Sequence, residues 1–312
     1  MKSIIFVLIM VSVAVAVGCS STGGTKLPDD ATASQIFAAA EALRQEGRLD
    51  AAADLYERIY DDFPGSDEAV AAQWLAAEIE FEQGNWKSAR AAYQEFHKAN
   101  PMRQIGEIET RMYSIGEALY EDGKSGLFGL GLFPSREQAV QTMLWISTNL
   151  DKGPLADDAL IFAARSRLET TDEEDAVMYL EELLTRYPES EWHLEARYLS
   201  GVTHLRMNRG PAYDLGALND ARRAFTRYIA ELERDPAKKL EYADRLAEAR
   251  ENIVEIDNRI AAKNLLIAEY YLEVERMDAA RLYLERTARD YPQTDAGRDA
   301  GLRLESLSTG AE

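Results

Sequence analysis

Three kinds of position recur along this chain at a fixed interval, and the interval constrains the fold more than any other feature. A small residue is followed by Ala 12 positions later and by Pro 12 after that, at Ala40/Ala52/Pro64, Ala77/Ala89/Pro101, Ala164/Ala176/Pro188 and Ala268/Ala280/Pro292. Four residues past each middle Ala stands a large apolar side chain: Tyr56, Tyr93, Leu180 and Leu284. Small residues at such spacing let two helices approach closely, the bulky ones fill the gaps, and proline stops the second helix. In Ala262–Thr294 the helical period gives one amphipathic helix through Leu265, Ala268 and Tyr271 and a second through Ala279, Ala280, Tyr283 and Leu284. No stretch carries strand periodicity. The chain is expected to be all-α, a stack of helix pairs.

Two further pairs keep the pattern with insertions. Gly116, Ala139 and Pro154 mark the third, and Gly201, Ala221 and Pro236 the fifth, giving about six repeats. A unit of roughly 34 residues made of two helices resembles the tetratricopeptide (TPR) repeat, which implies a right-handed superhelical solenoid. The expected division is a signal segment over 1–18, a lipidated Cys and flexible tether over 19–32, repeats one to three over 33–155, repeats four to six over 156–300, and a tail over 301–312. A long polar helix over 238–257 is expected to lead into repeat six. The insertion in repeat three, 123–135, sets Leu127, Phe128, Leu130 and Phe133 among glycines. It reads either as a partner-binding or membrane-touching lobe or as a lid folded back over the array's own core.

The N-terminus points to an envelope. Lys2 precedes a run from Ile4 to Val17 that is apolar except for Ser12, the length of a signal-peptide core and too short for a span of ~20 residues. It ends in Ala16-Val17-Gly18-Cys19, which resembles the lipobox of bacterial lipoproteins. That resemblance implies that Cys19 carries acyl chains as the first mature residue, and Ser20 after it implies sorting to the outer membrane. Cys19 is the only cysteine, so no disulfide is available.

The formal charge of −20 argues against nucleic acid or anionic lipid as a charge-driven partner. From Arg259 to Arg303 eight basic and eight acidic side chains balance, leaving a neutral C-terminal repeat on an acidic body. Catalytic constellations are missing from the sequence pattern. His97, His193 and His204 form no i, i+4 pair, the glycines of the insertion lack a preceding strand, and no motif marks a nucleophile. Acidic runs such as Asp172-Glu173-Glu174-Asp175 fall at expected helix starts, where they suit the dipole. No cofactor or metal is expected, and a non-catalytic scaffold is favoured over an envelope hydrolase.

The repeat ends YDDFPGS, RYPESEW and RDYPQT, the block ending RIAAKNLLIAEYY and the insertion SGLFGLGLFPSREQAV together resemble the BamD family, TPR lipoproteins of the outer-membrane β-barrel assembly machine. The chain departs from it in having six repeats rather than five and in ending repeat five with Glu233-Arg234-Asp235-Pro236. The resemblance implies a periplasm-facing outer-membrane anchor, docking on the periplasmic domains of a barrel-forming core protein alongside other lipoproteins, and receipt of unfolded outer-membrane proteins. Those roles would fall on Arg281, Tyr283 and Arg286 in the last repeat and on a peptide groove at Trp74 and Tyr93, although the position of those two in the repeat pattern favours packing between helices. The alternative is a TPR lipoprotein that coordinates peptidoglycan or division machinery.

Overall fold

A computed structural model describes residues 27–28, 30–125, 134–207 and 215–309. These residues form fourteen helices and no strand. The helices belong to two compact units, Met1–Gln83 and Gly84–Glu312.

The first unit contains α1 (Ala33–Gln45), α2 (Leu49–Asp62) and α3 (Asp67–Glu82). Thr32 starts α1 with a reciprocal capping box, its hydroxyl accepting from the Gln35 N–H while Gln35 Oε1 accepts from the Thr32 N–H. Ala40, Ala52 and Tyr56 are wholly buried with Ile36 and Ile59, as the spacing requires. Arg44 reaches Glu82 at 3.0 Å and Gln83 reaches Asp50 at 3.0 Å, tying α3 back to the first pair.

The second unit runs through α4 (Trp86–Ala99), α5 (Ile105–Ser125), α6 (Pro134–Asn149), α7 (Ala156–Thr170), α8 (Glu173–Arg186), α9 (His193–Met207), α10 (Leu215–Arg234), α11 (Pro236–Glu241), α12 (Ala243–Glu273), α13 (Met277–Asp290) and α14 (Asp295–Thr309). Each helix from α4 to α10 packs on the next, α10 packs on α12, and α12 packs on both α13 and α14. This is a helical-repeat array, in which each pair buries its apolar face against its neighbours. In all six pairs the middle Ala and the residue four beyond it are buried, including Ala139 with Met143 and Ala221 with Phe225 in the interrupted ones.

The turn inside each regular pair has one geometry. Gly47, Gly84, Thr171 and Glu275 hold positive φ of 75°, 74°, 61° and 57°, each two residues before the second helix begins. Glycine enters this left-handed region without penalty, whereas Thr and Glu are strained there. The turn between pairs has its own chemistry. The last residue of the recurring x-Pro-x-Ser/Thr caps the next helix or the turn leading into it: Ser66 Oγ accepts from the Ala69 N–H, Ser190 Oγ from the Trp192 N–H, and Thr294 Oγ1 from the Gly297 N–H. Proline ends one helix and the hydroxyl starts the next.

Two expectations change. The polar helix placed over 238–257 is two elements, the short α11 and the continuous 31-residue α12, which passes without a break into repeat six. Asp235 caps α11, with Pro236 pre-set for a first helical turn, and α12 starts afresh after Tyr242. The insertion placed over 123–135 is shorter at both ends, since α5 continues to Ser125 and α6 starts at Pro134. Within the segment set off as a tail, residues 301–309 continue α14, a 15-residue helix that packs Ala300, Leu304 and Leu307 against Ala268 and Leu284.

Candidate protein-docking site

The second half of α12 is apolar on two sides. Ile256, Ile260, Ala261, Asn264 and Ala268 face inward and are buried. Leu266, Tyr270 and Val274 follow at four-residue spacing on another face and are 57%, 59% and 45% exposed. Met277, the first residue of α13, continues the exposed stretch, and Leu282 lies open further along α13. An ordinary surface helix buries its single apolar stripe and gives water the rest. A contiguous apolar strip left outside is the mark of a contact surface.

An aromatic row backs the strip. The Tyr270 and Tyr271 rings lie 5.6 Å apart, and Tyr271 stacks on Tyr283 of α13 at 5.7 Å with 26° between the planes. The helix that carries the strip is tied to its neighbours by polar contacts. Buried Asp257 accepts from Arg222 Nε of α10 at 2.6 Å and from Gln293 Nε2 of the turn before α14 at 3.4 Å. That bond from Asp257 holds the Arg222 guanidinium above its ordinary pKa. Arg303 of α14 reaches Glu269 at 2.7 Å and Asp299 at 2.9 Å.

The model of the YfiO family, described as outer membrane lipoprotein, matches residues 134–307, more than half of the chain. The chain belongs to the YfiO outer membrane lipoprotein family. The match begins at α6 and takes in the whole candidate docking region. A tetratricopeptide repeat model matches residues 43–104, which cover most of the first two pairs. No curated protein matches. Solved structures with similar folds include a thermophilic TPR protein of Thermus thermophilus, 19% identical over 69% of this chain and 100% of that one, with a TM-score of 0.31. A tetratricopeptide repeat protein from Parabacteroides merdae is 14% identical over 82% and 91% with a TM-score of 0.32, and pilF of Pseudomonas aeruginosa 14% identical over 87% and 97% with 0.29. At such scores these likenesses carry no argument about this chain.

In this YfiO family member the residues singled out from sequence fare differently. Arg281 and Arg286 are exposed on α13, and Arg286 lies 3.8 Å from Asp290. Tyr283 is half-buried in the aromatic row, so it supports the surface more than it forms it. Of the two readings of Tyr93, packing holds and the groove does not. It is 0% exposed, so it packs between helices and cannot line a peptide groove. Its place four residues past Ala89 makes it the counterpart of Tyr56 and Leu284, both equally buried. Trp74 is half-buried on α3 of the first unit. Cys19, Leu127, Phe128, Leu130 and Phe133 lie outside the described residues.

The polar groups inside the array serve structure. Glu109 on α5 is 1% exposed, and its Oε1 accepts from the Leu155 N–H at 2.8 Å, at the entry to α7. Burial raises its carboxyl above the usual range, with the charges of Asp158 and Asp157 adding to the effect. His193 contacts Arg197 Nη2 at 2.8 Å, and Arg197 reaches Glu231 at 2.8 Å. Burial pushes His204 below its ordinary value. Among the described residues no group of His, Cys, Asp and Glu is placed to hold a metal ion, and no helix is long and apolar enough to cross a membrane.

Proposed function

We propose that this outer membrane lipoprotein is a non-catalytic scaffold for the assembly and insertion of outer-membrane β-barrel proteins. Its last repeat docks on the periplasmic domains of a barrel-forming core protein. The exposed apolar strip Leu266–Tyr270–Val274–Met277 carries this reading. It lies inside the family match, in the neutral part of an acidic chain, on a helix that Asp257 ties to α10. Buried aromatic and arginine side chains dominate protein interfaces, and Tyr270 of α12 with Arg281 and Arg286 of α13 supplies both kinds. In the same reading Cys19 bears the acyl chains that hold the protein on the periplasmic side of the outer membrane, since one chain alone anchors only marginally. The apolar insertion around Leu127, Phe128, Leu130 and Phe133 is a second contact surface. Unfolded barrel proteins are the cargo.

The test is affinity purification of the lipidated protein from mildly solubilised outer membrane, with mass spectrometry of what accompanies it. A large protein combining periplasmic repeats with a membrane β-barrel is expected, with photocrosslinks from position 270. Tyr270→Glu should cut its recovery about tenfold or more, the weight of one interface anchor. Recovery of peptidoglycan or division enzymes in its place would show that the scaffold serves other envelope machinery.

A further inference from the structure

One face of α9 carries three polar side chains at helical spacing. Arg197, Ser200 and His204 stand at i, i+3 and i+7, so they share one side of the helix. With Arg223, Ala224 and Arg227 of α10 they line a cleft of about 140 Å3. The small Ala224 side chain helps to leave that space open. Ser200 is 5% exposed, yet its hydroxyl forms no hydrogen bond with any described residue. Other hydroxyls inside these helices bond the carbonyl four residues back, as Ser166 does to Phe162 and Thr203 to Leu199. The Ser200 hydroxyl is left for whatever fills the cleft.

The charges of this cleft run against those of the chain. In a protein of net charge −20, three arginines meet two acids here. Both acids leave the interior to the cations. Asp220 is paired with Arg223 at the rim, and Glu181 of α8 is largely exposed, 3.9 Å from His204 Nε2. Deeper in, Arg197 meets Glu231 through Nε at 2.8 Å and His193 through Nη2 at 2.8 Å, which fixes the guanidinium and leaves Nη1 uncommitted. Arg227 forms no ion pair or hydrogen bond with the described residues. Burial holds His204 below its ordinary pKa, so near neutral pH its ring brings one N–H and no charge.

We propose that the α9/α10 cleft binds a phosphate group. Arg197, Ser200 and His204 donate to it from α9, and Arg227 donates from α10. A tetrahedral oxyanion spreads its charge over several oxygens and so accepts from donors on both helices. A carboxylate offers two oxygens in one plane, which suit the fork of a single guanidinium. The volume is that of a few waters, enough for one such group and too little for a nucleotide. The phosphate comes either from solution, as the inorganic ion or a small monoester, or from the headgroup of a membrane lipid. The proposal does not depend on the barrel-assembly reading.

The experiment follows the ring signals of His97, His193 and His204 by NMR in the full-length protein, held in phosphatidylcholine nanodiscs and phosphate-free buffer. Inorganic phosphate is then added. The His204 signal should move most and saturate, with a Kd below about 1 mM. A second preparation contains phosphatidic acid, whose headgroup is a phosphate monoester. A His204 signal already at its bound position there, before any phosphate is added, assigns the site to lipid headgroups. A signal that moves only with added phosphate assigns it to phosphate from solution. Ser200→Ala should weaken binding about fivefold, the weight of one hydrogen bond, and Arg227→Gln about tenfold, because the bond it loses is charged. Neither side chain bonds another described residue, so both variants should fold. Arg234→Gln, on the same helix but outside the cleft, should leave the affinity unchanged. The proposal fails if His204 does not respond to about 10 mM phosphate in either preparation, a limit beyond even millimolar affinity. It also fails if acetate gives the same shift at the same affinity, if Ser200→Ala and Arg227→Gln bind as the parent does, or if Arg234→Gln weakens binding as much as Arg227→Gln.

Discussion

Asp257 and Arg222 tie α12 to α10, and they are unequally buried. The Asp257 side chain is 6% exposed and that of Arg222 42%, with 2.6 Å between Nε and Oδ1. Removing the arginine strands a buried carboxylate, whereas removing the carboxylate leaves a cation that water can reach. Arg222→Ala should therefore cost about 3 kcal/mol, near the lower end for breaking a buried pair, and Asp257→Asn about 1 kcal/mol. Urea unfolding of both variants checks the order. A larger loss for Asp257→Asn would show that the carboxylate is better solvated than its burial implies.

Glu109 makes stability depend on pH in the opposite sense to an ion-paired acid. Its folded-state pKa is raised, chiefly by burial, while the unfolded chain has the ordinary value of about 4.3. Between those values the unfolded state has released its proton and the folded state has not. The contribution is therefore full below about pH 4 and declines as pH rises through the folded pKa. Glu109→Gln keeps an oxygen for the Leu155 N–H and removes the ionisation. Melting temperatures from pH 4 to 8 should fall less steeply in the variant than in the parent; parallel curves would mean that Glu109 titrates normally.

Thr171 occupies a left-handed turn that Gly47 and Gly84 fill elsewhere, and it is β-branched. Relief of that strain outweighs the extra freedom glycine gives the unfolded chain, so Thr171→Gly should stabilise the protein by about 0.5–1 kcal/mol. The check is a denaturant midpoint that rises with unchanged slope. A fall would place the balance with the unfolded state.

Tyr93→Ala should cost about 3–5 kcal/mol, the usual loss for emptying a buried aromatic site. A groove-lining tyrosine would change stability by less than about 0.5 kcal/mol. Calorimetry or urea unfolding separates the two outcomes directly.

Much of the array was legible from spacing alone. The positions 12 apart and the bulky residue four further on are core positions because helices in contact admit only small side chains at their closest approach. The motif x-Pro-x-Ser/Thr, which carried the family resemblance, proved to be punctuation between helices, with a stop and a cap four residues long. The outer strip was missed for a physical reason. Leu266, Tyr270 and Val274 have the same four-residue spacing as core residues, so periodicity alone assigns them inward. The available signal was that Leu265 to Leu272 is apolar nearly all round the helix, more than one buried face requires. At Tyr93 the aromatic type suggests recognition, but the register it shares with Tyr56 assigns it to packing, and the register decides.

The unbroken course of α12 has a mechanical consequence. At 31 residues it is about 46 Å long. Its first half is clamped in one core with Phe225 and Tyr228, its second half in another with Leu284 and Ala300. No joint separates the two. A load applied at Tyr270 acts on a lever whose far end is seated in repeat five, so the last repeat cannot swing while the one before it stays still.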